Sequence, residues 1–484
     1  MQATQTPRSF RLALIILCTG FFMTTLDMTI VTVAIPNMLT TMHSTLDQIL
    51  WVVNAYMLVY GALLITGGRL GDIFGSRTIF ACGLGIFVVA STLCGLSQNS
   101  LELIAARVLQ GVGSALITST SLALLTSLYP PERRGAALGT YAGVAGLASV
   151  VGPLAGGIIV SLLSWRWIFF INVPIGIIAL VATFLLIPEL RTGKTHQIDF
   201  IGIILATAGL FSIIFALDEG QTYHWGTITG ILSIPSLLIA GVVILLAFIV
   251  WERVPQEPLL PLALFKNHTF SSMAAVNLSL AFGQLGFIFL VNLFFESSLG
   301  MSALIAGLAT APLMLAIMIA SPLAGRLSDK IGGKYILIAG LVFFAAGISL
   351  TAWLSTLHPP IYAFLLPLVL AGVGIGCAAS TLMGEAMRGI TPPLMGAASG
   401  LISTTRQVGG AIGGAVVGGF LQYRLASTHT TIVSGITTAV LPSFLIIAAV
   451  LLAGALLCLT LKRTVTNANK APLQKTVSTT SSAS

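Results

Sequence analysis

Among the ionisable residues inside long apolar stretches of this sequence, two stand out, Asp27 within LIILCTGFFMTTLDMTIVTVAIP and Arg107 within LELIAARVLQGVGSALI. A charge at the centre of a bilayer costs roughly 2.5 to 3.5 kcal/mol on insertion scales, so each residue needs a reason to be there. A carboxyl group facing a cavity can hold a proton or face a cation, and the two can compete for it. Asp27 is therefore the candidate proton carrier, with Arg107 at similar depth on another helix as the group that tunes it. A buried structural pair is the alternative.

Weaker candidates come from polar residues at helical spacing. Asn277 and Gln284 are a heptad apart and share one helix face, Tyr56 and Tyr60 stand one turn apart, and Arg406 falls near mid-depth on a glycine-rich helix. They read as a substrate cavity, although interhelical packing explains such residues equally well. Glu296 and Glu385 sit near span ends and read as boundary charges. The stretch GGRLGDIFGSR at 67–77 reads as a short turn in which Arg69, Asp72 and Arg77 form a clamp, with Asp72 placed to meet the positive end of the following helix. Its repeat GRLSDKIGGK at 325–334 supplies Arg326 and Asp329, and Gly152–Pro153 in GPLAGG marks a helix able to bend and to pack closely.

The elements that must hold these residues follow from composition. Hydrophobic residues make up 56% of the 484 and charged ones only 7%, which leaves no water-facing surface for a soluble protein. Crossing a bilayer takes about 20 apolar residues, and fourteen such runs recur: 12–35, 48–66, 78–97, 101–125, 136–160, 167–187, 199–216, 227–251, 270–295, 303–324, 335–355, 361–386, 396–421 and 435–461. With the N-terminus in the cytoplasm, eighteen of the 22 Lys and Arg residues fall in inner segments, two in outer loops and two inside spans. That bias is the positive-inside pattern, so the net charge of +8 reports topology and implies no nucleic acid. The five cysteines lie in spans without paired spacing and the six histidines in loops or at span ends; neither set suggests a metal site or a disulfide. No GxxxxGK[ST] loop is present to bind a nucleotide.

The chain is also duplicated. The two GRL segments are 257 residues apart, while GAALG at 135–139 matches GAASG at 396–400, and Gly152 matches Gly413, each 261 residues on. The repeat unit is six helices. The expected organisation is an N-terminal bundle over 1–188, an inserted helix pair with linkers over 189–269, a C-terminal bundle over 270–461 and a disordered cytoplasmic tail over 462–484.

On these residues the chain resembles the major facilitator superfamily and, within it, the fourteen-helix drug:proton antiporters. LDMTIVTVAIP at 26–36 looks like that branch's first-helix motif, GGRLGDIFGSR like the superfamily's loop after helix 2, RVLQGVG like the helix 4 motif and GPLAGG like the helix 5 antiporter motif. WRWIFFINVPIG and GAASGLISTTRQVGGAIGG are similar to stretches of the same branch, while Thr32 replaces its usual Asn. The resemblance implies an all-α membrane protein of two six-helix bundles plus an inserted pair, alternating access about a central cavity, and no covalent chemistry. The expected activity is export of lipophilic, often cationic drugs, dyes or biocides in exchange for protons, with sodium as another coupling ion. A dedicated exporter or importer of one endogenous metabolite is the alternative, and an enzyme or sensor on this scaffold would need a catalytic cluster that the sequence lacks. The expected partners are small substrates, protons and lipid, with no cofactor, and the chain is expected to act as a monomer in the plasma membrane with both termini cytoplasmic.

Overall fold

Hydrocarbon offers no partner to a free amide, so a chain in a bilayer must satisfy its backbone within each segment, and helices do so. The computed structural model describes residues 7–189, 199–230, 232–255, 258–301, 303–357, 360–427 and 432–460. The expected tail at 462–484 lies outside the described residues, as does most of the linker before residue 199. Among the described residues the long helices are α1 Pro7–Met42, α2 Leu46–Phe74, α3 Ser76–Leu96, α4 Ser100–Leu128, α5 Arg134–Leu162, α6 Trp167–Leu186 and α7 Phe200–Glu219. They continue as α8 Ile234–Trp251, α9 His268–Ser297, α10 Ile305–Ile331, α11 Gly333–Leu357, α12 Ile361–Ala386, α13 Met395–Ser427 and α14 Ile432–Leu459. Thirteen of these are long and apolar enough to cross a membrane. The remaining one is α13, which is diluted by eight glycines, Arg406 and Gln407 over its 33 residues.

Two boundaries in the first bundle depart from the sequence reading. Helix α1 continues through Pro36 to Met42, because neighbouring helices in a membrane tolerate a proline that would end a helix in water. The expected turn at 67–77 is helical as far as Phe74. At 29 residues α2 is roughly 43 Å long, more than the ~30 Å of hydrocarbon, so its last turns leave the membrane as helix. The reversal is confined to Gly75, whose φ of +96° only glycine adopts cheaply, and its repeat partner Gly332 does the same at +88°.

Packing follows the duplication. In the first half α1 lies on α5, α2 and α3 on α4, and α3 on α6; in the second α9 lies on α13, α10 and α11 on α12, and α11 on α14. The halves meet along α2–α13 and α5–α10, which are exchanged by the repeat. Both seams are backbone-to-backbone. A Cβ on Gly68 would sit 2.9 Å from the Gly396 carbonyl carbon and 3.2 Å from Gly400 Cα, and one on Gly325 would sit 2.8 Å from the Gly135 carbonyl carbon and 3.1 Å from Gly139 Cα. Further along α5, Gly143 and Gly146 seat Met318 and Met314 of α10, while Gly152 and Gly156 seat Thr29 and Ile30 of α1. The inserted helices α7 and α8 pack on each other, and α7 also lies on both α2 and α13, across the seam. Ile239, Val242, Val243, Leu246 and Val250 of α8 face outward. The expected helix over 227–251 begins only at Ile234, because Thr227–Thr229 and Leu232–Ser233 pair as a small antiparallel hairpin between the two helices.

The α2–α13 seam makes a prediction. Ser399 is fully buried there and its hydroxyl donates to the Ser119 carbonyl at 2.6 Å. Gly68→Val overpacks this crossing, at a cost of about 1–3 kcal/mol. A cysteine replacing Ser399 is expected to react with a maleimide faster in the Gly68→Val background than in its absence; equal rates would show that the seam tolerates the added side chain.

Candidate functional site

Asp27 and Arg107 form an ion pair, and both side chains are fully buried. Five helices build the enclosure, α2 among them through the Val52 carbonyl and the Tyr56 ring. From α1 comes the carboxylate; from α4 come Arg107 and, one turn on, Gln110; from α3 comes Ser91; from α6 comes Asn172. Arg107 donates through one terminal nitrogen to Asp27 Oδ2 and to Gln110 Oε1 at 2.8 Å, and through Nε to the Val52 carbonyl at 3.0 Å. Gln110 Nε2 donates to Asp27 Oδ1 at 3.0 Å and to Ser91 at 3.2 Å, and Asn172 Nδ2 reaches the same Oδ1 at 3.4 Å. Every described group on the carboxylate is thus an N–H donor. The guanidinium centre lies 4.1 Å over the Tyr56 ring, and its second terminal nitrogen has no partner although buried.

Tyr56, expected in a cavity, instead closes this cluster: its hydroxyl donates to the Thr24 carbonyl at 3.1 Å and shares a 2.7 Å hydrogen bond with Ser114. Asn277 is also buried, and its Nδ2 ties α9 to α13 through the Ile402 carbonyl at 2.7 Å and Thr405 at 2.9 Å. Tyr60, Gln284 and Arg406 are partly buried. Arg406 lies within electrostatic reach of Tyr60 and Tyr141 from the opposite half, and the Tyr141 ring stacks on Phe21 at 4.2 Å. Thr32 donates to the Thr29 carbonyl at 2.7 Å within its own helix.

The carboxylates of the two GRL segments do something the sequence did not suggest. Asp72 accepts from the Gly396 and Ala397 amides, both at 2.8 Å, and Asp329 accepts from Gly135 and Ala136, also both at 2.8 Å. Each acid of one half therefore caps the first turn of a helix in the other half, α13 or α5, where free amides and the helix dipole favour a negative charge. The expected contact with α3 is not made. Arg77 turns away from Asp72 to pair with Glu189 at 3.4 Å, leaving Arg69 as the arginine whose charge acts on Asp72. Gly152 packs on Thr29, two residues from Asp27.

Gln110, Asn172 and Ser91 were missed by sequence reasoning. Gln110 was within reach of it, because it lies three residues after Arg107 and so on the same helix face; Asn172 and Ser91 carry no local signal.

The Major Facilitator Superfamily sequence profile matches residues 17–414 and 273–482. The chain belongs to the major facilitator superfamily. It is similar to the methylenomycin A resistance protein of Bacillus subtilis, with 34% identity over 84% of this chain and 86% of that one. The riboflavin transporter RibZ of Clostridioides difficile is 31% identical over 86% of this chain and 89% of its own length. Among solved structures, the human organic anion transporter MFSD10 superposes with a TM-score of 0.68 at 13% identity, covering 94% of this chain and 100% of the other, which establishes likeness of fold. This superfamily member is accordingly a multi-pass membrane transporter and not an enzyme, and it has drug-resistance proteins among its relatives.

A buried pair is costly to break on one side, by about 3–5 kcal/mol, because the partner is left as an uncompensated charge. Asp27→Asn and Arg107→Gln are each expected to destabilise the purified protein on that scale, and the double variant by less than the sum of the two. Additive losses in denaturant or thermal unfolding would show that the two charges do not depend on each other.

Proposed function

We propose that this transporter exports small lipophilic compounds, drugs, dyes or biocides among them, in exchange for protons, by alternating access between its two bundles. The observation that carries this reading is the enclosure of Asp27, a carboxylate held by Arg107, Gln110 and Asn172 with no exposed surface. Its surroundings favour a proton over sodium as the coupling ion. A sodium ion needs several oxygen ligands, whereas the described partners of Asp27 are N–H donors; a proton needs only one carboxylate oxygen. When Asp27 takes up the proton, Arg107 loses its counter-ion, and its spare terminal nitrogen can turn to another acceptor. That rearrangement is a physical link between protonation and the packing of α1, α2, α3, α4 and α6.

In this reading Tyr60, Gln284 and Arg406 line the path between the bundles, and Tyr56 and Asn277 support it from behind. Asp72 and Asp329, with Arg69, Arg77 and Arg326 on the same segments, hold the closed side of the seam and release it when the bundles rock, while Gly152 and Pro153 let α5 move against α1. The protein lies in the plasma membrane with both termini in the cytoplasm, the orientation that the distribution of Lys and Arg favours.

A second reading, transport of a single endogenous metabolite, is favoured by Arg406. No described carboxylate pairs with it, and an unpaired cation in the path suits a substrate with an acidic or electron-rich aromatic part. The riboflavin transporter among the relatives is in keeping with that alternative.

Everted vesicles carrying the protein and a preformed pH gradient test the proposal. Adding a lipophilic dye or biocide is expected to dissipate the gradient with wild type and to leave it intact with Asp27→Asn. A panel of such compounds that never dissipates it rules out proton-coupled drug export, and a response to one metabolite alone selects the second reading.

A further inference from the structure

The base of the inserted pair, where α7 begins and α8 ends, holds two carboxylates in one pocket of the fold. Asp199 caps α7. Its Oδ1 accepts from the Gly202 amide at 2.8 Å and from the Trp251 indole at 2.9 Å, while its Oδ2 is buried with no partner. Glu252, the residue after α8, is only 3% exposed; its Oε2 accepts from the Leu260 amide at 3.0 Å, and its Oε1 is again buried without a partner. The two spare oxygens converge on one place. A Cβ built on Gly202 would collide with Asp199 Oδ2 and lie 3.0 Å from Glu252 Oε1, so the glycine leaves just the space that both atoms face.

Two ionised carboxylates turned toward each other, away from water, repel with nothing between them, whereas one proton placed between them supplies a donor for one oxygen and an acceptor for the other. The geometry points to a single proton held between Asp199 and Glu252, a protonation site separate from Asp27 and lying at the opposite end of the inserted pair from its hairpin. Among the described residues, the charged groups acting on Glu252 are Asp199 from the start of α7 and Arg69 from α2, and the amides bonded to it are those of Leu259 and Leu260. Burial, followed by Asp199 among the charges that act in the same direction, pushes the Glu252 carboxyl up to about 7, against the pull of those amides and of Arg69. Arg69 also acts on Asp72, which caps α13.

The sign of the effect follows from linkage. A carboxyl group whose proton is held more firmly in the folded than in the unfolded chain stabilises the fold at low pH, and that contribution is lost between its ordinary value, near 4.5, and about 7. Thermal unfolding of the purified full-length protein in detergent, followed from acid to alkaline pH, reads this without any transport, so failure here and failure of proton-coupled export are separate results. Glu252→Gln keeps the shape and supplies a permanent donor to Asp199. It is expected to melt above wild type at alkaline pH, with the difference shrinking as pH falls below about 7, and Asp199→Asn is expected to reproduce that pH-dependent difference. A gap between wild type and Glu252→Gln that does not change with pH, or an Asp199→Asn variant whose pH dependence matches wild type, overturns the shared proton.

Discussion

Asp27 and Arg107 are each fully enclosed, and neither could stay charged there without the other. Water that would solvate either group has been replaced by Gln110, Asn172, the Val52 carbonyl and the Tyr56 ring. Those partners come from helices that must keep their relative depth and rotation for the cluster to remain satisfied. The pair therefore constrains the first bundle, since a change in its charge alters what α1, α2, α3, α4 and α6 gain by staying together. This is the property a coupling site needs, because an ion that enters or leaves must alter a conformational balance and not merely occupy a vacancy.

The two bundles are joined on different terms. Where they meet, glycines bring backbones into direct contact along α2–α13 and α5–α10, and one acid from each half caps a helix of the other. Such contacts are strong when the geometry is met and vanish over a short displacement, as the dipole interaction fades beyond the first turn. Apolar packing along a moving interface would slide by degrees. Capped helix ends and close-packed glycines favour two discrete arrangements, and α7, resting on both α2 and α13, lies where any change at that seam is felt.

Much of this was legible in the sequence because lipid enforces simple rules. Apolar run length gave the helices, and Asp27 and Arg107 stood out because charges in such runs are rare. What remained hidden depends on distance along the chain. Asp72 could be recognised as special from its repeat at Asp329, yet its partners lie 324 and 325 residues away, so a local reading assigned it to the adjacent helix instead. Tyr56 and Asn277 were placed in a cavity because helical periodicity shows that residues share a face without showing whether that face meets a void or another helix. Nothing near Asp199 and Glu252 in sequence announces that two segments about fifty residues apart, Asp199 and Trp251 for instance at a separation of 52, close into one pocket.

In the proposed function, cargo and a proton take turns at Asp27. Its most direct test is to add a lipophilic dye to purified protein in weakly buffered detergent solution and follow a pH indicator. The account predicts proton release that saturates together with dye binding in wild type and disappears in Asp27→Asn while the dye still binds. Release of the same size from the variant would contradict it, because the proton would then come from some other group.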